Sequence, residues 1–202
     1  MKRNHPQIPF ARYADDGVIH CRSRKEAEAL RRELTQRLAE CGLRLHPRKT
    51  QIIYCKDANR QGEYPVISFD FLGYTFRPRE SKNRRGKLFL NFAPAVSNEA
   101  KKNMRQRIRR ENIPRWTGAT VQDIAQRVNP VIRGWINYFG RFCKSGLYPV
   151  LKHMDRALCI WARRKFKGIT SMKRARCWLK KVANGNPSVF FHWLWRNGLT
   201  AG

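Results

Sequence analysis

The chain has 202 residues, enough for one or two small domains with a real core, and its 42% hydrophobic share speaks against wholesale disorder. Its 43 lysines and arginines face 14 aspartates and glutamates, a net charge of +29 that repels itself unless an acidic partner sits on it. No apolar run approaches the ~18 residues of a membrane span, no leader-like apolar segment follows residues 1–6, and the six cysteines include no C-x-x-C pair. A reducing intracellular setting is therefore expected, without a disulfide framework or a zinc ribbon. The charge is also uneven. Residues 1–100 hold 20 basic and 11 acidic side chains, whereas residues 101–202 hold 23 and 3, so a long polyanion is the natural counterpart of the second half.

Two short strands are predicted first, Phe10–Ala14 and Val18–Cys21, joined across Asp15-Asp16-Gly17, because Asp-Gly between strand formers is a strong hairpin signal. A helix follows. Ser23 with Glu26 suggests a capping box, Ala27, Leu30, Leu34, Leu38 and Cys41 recur on one face, and Gly42 is the expected terminator. Gln51–Cys55 reads as a strand, residues 56–64 as a polar loop, and Phe69–Phe76 as strand around Gly73. Residues 77–87 read as the most basic loop, and Leu88–Phe92 as a last short strand.

From Pro94 helical patterns replace strand patterns. The candidates are Ser97–Glu111 with the apolar stripe Ala100, Met104 and Ile108; Val121–Phe142, capped by Thr120 with Asp123 and containing Pro130; Tyr148–Phe166; and Ser171–Ala183. The aromatic end, Phe190–Arg196, reads as an edge or a partner surface. The expected fold class is α+β: a mixed front over residues 1–93 and an all-helical basic rear over residues 94–202.

The hairpin carries the sharpest chemical signal. Two adjacent carboxylates repel each other unless a cation sits between them or one faces solvent, and a divalent-metal site uses that presentation. An Asp-Asp-Gly turn that merely ends a hairpin accounts for the same residues. Tyr13-Ala14-Asp15-Asp16 between hydrophobic strands resembles the signature of reverse transcriptases. Residues 38–50 resemble the helix–turn–strand motif that follows it in that family, and residues 69–76 resemble the palm strands at the primer grip. Asn129–Phe139 (NPVIRGWINYF) resembles the thumb/X-domain sequence of bacterial group II intron reverse transcriptase/maturases, and Trp161–Phe166 resembles the basic-aromatic helix after it.

This resemblance implies a partial palm followed by a thumb and a maturase-specific domain. It implies Mg²⁺ at Asp15 and Asp16, Lys49 near the phosphates of an incoming nucleotide, and Phe71, Leu72 and Gly73 at a primer grip. Taken by itself, Lys49 reads equally as a solvated turn lysine. In the family, fingers and a palm strand with a further metal-binding aspartate precede the hairpin. Asp15 lies so near the start that the isolated chain is expected to have an incomplete site and to be inactive as a polymerase. A separately encoded N-terminal fragment completing it in trans is one alternative, and a non-specific basic nucleic-acid-binding remnant is another. No cysteine–histidine cluster follows the X-like region, so zinc and DNA cleavage are not expected.

In the second half, Lys101, Lys102, Arg105 and Arg109 lie on one predicted helix, with Arg133 on the next. Arg163, Arg164, Lys165 and Lys167 form a second block, and Arg174, Lys180 and Lys181 a third. A merely solvated surface mixes both signs, and here acidic residues almost never interleave. The expected partner is group II intron RNA or another structured RNA, with no membrane partner, in the bacterial cytoplasm or at the nucleoid. Trp135, Phe139 and Trp161 fall at helical spacing beside apolar residues and read as core.

Overall fold

In the computed structural model, which describes residues 5–196, the chain forms small sheets first and helices afterwards. The part of the leader reading that falls on residues 1–4 lies outside the described residues. Strands β1 (Phe10–Tyr13) and β2 (Asp16–Ile19) pair antiparallel, with Phe10 opposite Ile19 and Tyr13 opposite Asp16. The turn is Ala14-Asp15 rather than Asp15-Asp16-Gly17. Ala14 takes a φ of 52°, the left-handed setting favoured at the first position of a two-residue hairpin turn, which leaves Asp16 and Gly17 on β2.

Helix α1 (Arg24–Glu40) starts where Ser23 Oγ accepts the Glu26 N–H, while the Glu26 carboxylate accepts the Arg22 N–H. It ends in a Schellman motif: Leu43 N–H donates to the Leu38 carbonyl and Gly42 N–H to that of Ala39. Leu30 is buried; Cys41, expected on the same face, is exposed at the cap. Gln51–Cys55 forms no strand. Tyr54 donates one backbone bond to Val66, no ladder develops, and its ring packs on Tyr64 with centres 4.2 Å apart.

Strands β3 (Phe69–Phe71), β4 (Tyr74–Lys82) and β5 (Leu88–Val96) form a second sheet in that order. Residues 77–87 are therefore mostly strand rather than loop. A strand with one face on solvent accepts charged side chains, and Asn83 Oδ1 organises the short turn by accepting the N–H groups of Arg85 and Lys87. Strand character also continues through Pro94 to Val96, because β5 is an edge strand, where a proline sacrifices no ladder bond.

The chain divides into two compact units, one with residues up to Phe71 plus Phe76–Phe92, the other with Leu72–Thr75 and Ala93 onward. Leu30 is the one fully buried apolar side chain of the first unit among the described residues; that unit also contains the stacked rings of Phe69, Phe76 and Phe92.

The second unit is built on helices α2 (Asn98–Glu111), α3 (Val121–Phe139), α4 (Tyr148–Lys165), α5 (Met172–Gly185) and α6 (Phe191–Arg196). Thr120 and Asp123 form a full capping box for α3, and Ile124, Val128, Ile132 and Ile136 repeat every fourth residue into the core. Helix α4 is central and packs against α2, α5 and the 3-10 turn Ile113–Arg115. Trp161 on α4 is buried and donates its indole N–H to the Trp116 carbonyl.

Two expectations fail in this unit. Helix α3 stops at Phe139, not Phe142, with Gly140 as its C-cap; a Cβ on Gly140 would lie 2.7 Å from the Trp195 ring. Phe190–Arg196 is packed inward rather than offered as a partner surface. Phe190 and His192 are fully buried, and Asn129 on α3 holds the segment by bonding the Val189 carbonyl and the Phe191 N–H.

Candidate nucleic-acid interface

Asp15 sits in the β1–β2 turn and Asp16 opens β2, both exposed. Their hard oxygen donors suit Mg²⁺, which asks for an octahedral oxygen set. Among the described residues no group of three His, Cys, Asp or Glu side chains is placed to hold a metal ion. The pair thus fits as part of a coordination set. Lys49 is exposed in the turn after His46, whose carbonyl accepts the Lys49 N–H.

Phe71 ends β3, and the two-residue turn after it has both Leu72 (φ 51°) and Gly73 (φ 77°) in left-handed conformations, as a type I′ hairpin turn requires. The turn is bolted to α3. Tyr138 donates its hydroxyl to the Leu72 carbonyl at 3.0 Å, and Tyr74 donates its own to the Tyr138 carbonyl. The Gly73 carbonyl accepts the N–H of Ser97, the buried N-cap of α2. Burial, then the Tyr138 hydroxyl, pushes the Tyr74 phenol above its ordinary pKa.

Of the basic residues on α2, Lys102 and Arg109 are exposed, whereas Lys101 and Arg105 are half-buried. The charges of Arg105 and Arg109 are felt at His153 on α4. Burial lowers the His153 pKa, and the charges of Arg109, Arg105 and Arg156 lower it further. The sequence blocks do not include Arg156; only the packing of α2 on α4 brings it to this cluster.

At the end of α4, Arg163, Arg164 and Lys167 line an open groove with Ile160, Ile169 and Thr170. Arg163 and Arg164 each hold one long bond to a carbonyl, of Thr170 and Pro114, and stay exposed. Lys165 has a different environment: its half-buried ammonium donates to the Thr117 and Ala119 carbonyls and lies over the Trp161 ring. Arg174 contacts the Thr170 hydroxyl, Lys180 and Lys181 are exposed on α5, and Arg133 lies over the Phe191 ring with its guanidinium 4.9 Å from the centroid. Arg127, also absent from the sequence expectation, spans Glu111 and the Trp116 ring.

Within the described residues no helix is long and apolar enough to cross a membrane, and the six cysteines are unpaired. A partial sheet region followed by basic helices is the layout of a polymerase palm leading into an RNA-associated helical domain. Residues 1–76 match the reverse transcriptase (RNA-dependent DNA polymerase) family, and residues 101–179 match the group II intron, maturase-specific domain. At family level, the two matches make the chain a group II intron reverse transcriptase/maturase-like protein. No curated protein matches it.

Proposed function

We propose that the chain binds structured RNA of the group II intron class through the basic faces of α2, α4 and α5, as an aid to intron splicing or mobility rather than as a polymerase acting alone. The crowding of Arg105, Arg109 and Arg156 around His153 carries this reading. Burial first, and the charges of these arginines after it, disfavour the His153 imidazolium; phosphate relieves such crowding of positive charge, and the cluster lies inside the maturase-specific stretch. Phosphate contacts supply affinity and salt dependence, while RNA shape supplies selectivity. Replacing Arg105 and Arg109 with glutamine tests it: affinity for structured RNA should fall, and the log–log salt slope should drop by about one for each phosphate the variant leaves unneutralised.

A second reading, a polymerase subunit completed by another polypeptide, draws on the first unit. It buries only Leu30 fully among the described residues and leaves Tyr13, Leu43 and Leu88 more than half exposed. Asp15 and Asp16 would each give oxygens to Mg²⁺, which when bound polarises the attacking and leaving oxygens of phosphoryl transfer. Primer extension that arises only on mixing with a complementary fragment, and that Asp15→Asn abolishes, supports this reading. Mixtures that stay inactive count against it.

A further inference from the structure

Gly134 occupies an exposed position in the interior of α3, and a Cβ built on it meets nothing within 4 Å. Glycine in an exposed helix interior is destabilising relative to alanine, and no contact among the described residues calls for it. Asn137 and Tyr138, three and four residues on, share its face and are exposed. Next to them is a ring cluster centred on buried Tyr74. Tyr138 and Phe142 flank that ring at centroid distances of 5.5 and 5.6 Å, yet remain 49% and 60% exposed. The Tyr138 hydroxyl is tied to the Leu72 carbonyl, which fixes the ring in place.

Along the chain, the charge of this stretch has one sign. Residues 124–154 contain no aspartate or glutamate, and Arg133 and Arg141 are exposed beside Gly134 and Phe142 in the chain. A protein surface seated here would have to supply acidic groups, whereas a nucleic-acid strand brings both phosphates and flat bases. We infer that the outward face of the last turns of α3, continued by Arg141 and Phe142 just after it, is a docking surface for single-stranded RNA. The sugar–phosphate backbone passes against Gly134, Arg133 and Arg141 meet phosphates, and an unpaired base stacks on Tyr138 or Phe142. This deepens the RNA-binding reading and rests on it, since it gives a single-stranded segment a place separate from the arginine cluster at His153.

The test uses the full chain and a single-stranded oligouridylate carrying one 2-aminopurine, whose fluorescence falls when the base stacks. Gly134→Ala should keep or raise the thermal midpoint while weakening binding about tenfold, because only an approaching ligand meets the new methyl. Phe142→Ala should weaken binding by about the same factor and reduce the fluorescence loss, and Tyr138→Phe should keep that loss. Wild-type affinity and quenching in both Gly134→Ala and Phe142→Ala overturn the inference. If Arg105→Gln/Arg109→Gln still weakens binding in that case, the RNA-binding reading survives alone; if the wild-type chain binds no RNA, both fail. A dimer that Phe142→Ala converts to a monomer with unchanged RNA affinity assigns the face to a second copy and also overturns it.

Discussion

Nε2 of His192 lies 2.9 Å from Oδ1 of Asp155, joining a fully buried ring on α6 to a carboxylate on α4. The same oxygen accepts the Trp193 indole N–H, and Arg196 donates to Oδ2. Among the described residues His192 Nδ1 is buried with no partner, so there the ring depends on this one carboxylate for its polar contact. Asp155→Asn removes the charge these donors converge on and should cost about 3 kcal/mol in chemical denaturation. A loss within experimental error would show that apolar packing alone docks α6.

Asp155 also sets a pH dependence. Burial pushes its carboxyl up, but the bonds from His192 and Trp193 and the Arg196 charge outweigh that and hold it below the ordinary carboxylate value. The folded-state pKa is thus depressed. Its stabilisation is present above the unfolded-state value and is lost as pH falls through the folded one. The denaturation midpoint should decline in that acidic window, and Asp155→Asn should flatten the decline.

Gly140 tests the close approach of α6 to the end of α3. A Cβ there would lie 2.5 Å from the Ile136 carbonyl oxygen and 2.7 Å from the Trp195 ring. Gly140→Ala should therefore destabilise by about 2 kcal/mol, whereas Gly134→Ala in the same helix should not. Equal effects of the two substitutions in thermal melts would contradict the packing described for Trp195.

What can be read from the sequence follows from how local each cause is. Ser97, Ser23 and the Thr120–Asp123 box fix helix starts through neighbours three residues away, and those starts lie where the spacing puts them. Strand β5 runs past Pro94, where its pattern stops, because its place at the sheet edge, which makes the proline harmless, is a tertiary fact. Helix α6 is hidden for a similar reason. Its aromatics look like a surface until Asn129 and Asp155, 37 to 62 residues away, are seen to bind it. For the candidate interface, the basic blocks are legible as composition. The clamp made by Lys165 and the grouping of Arg156 with Arg105 and Arg109 around His153 depend on how the helices pack.

His153 offers a protonic readout of RNA binding. Burial and the charges of Arg109, Arg105 and Arg156 hold its folded-state pKa below the ordinary imidazole value, so the free chain favours the neutral ring. Phosphates that neutralise the arginines should raise that pKa, so the complex takes up a proton and affinity should rise as pH falls through the ordinary imidazole range. His153→Gln should lose this pH dependence while retaining binding at neutral pH. An unchanged pH profile in the variant would remove His153 from the interface.

The carboxylate hairpin should be silent in RNA binding. Asp15→Ala and Asp16→Ala alter only an exposed hairpin that carries none of the basic blocks, so RNA affinity should stay within about twofold of wild type. A large loss would mean that the hairpin contacts RNA directly or through a bound cation.

The most direct test of the central claim is equilibrium binding of the full chain to a group II intron RNA and to an unrelated structured RNA of equal length, across a salt series. Both affinities should fall steeply with salt, as expected of a chain with a net charge of +29, and the intron RNA should remain the tighter ligand at every concentration. Equal affinity for the two RNAs throughout the series would contradict the intron-binding account and leave only a non-specific polyanion binder.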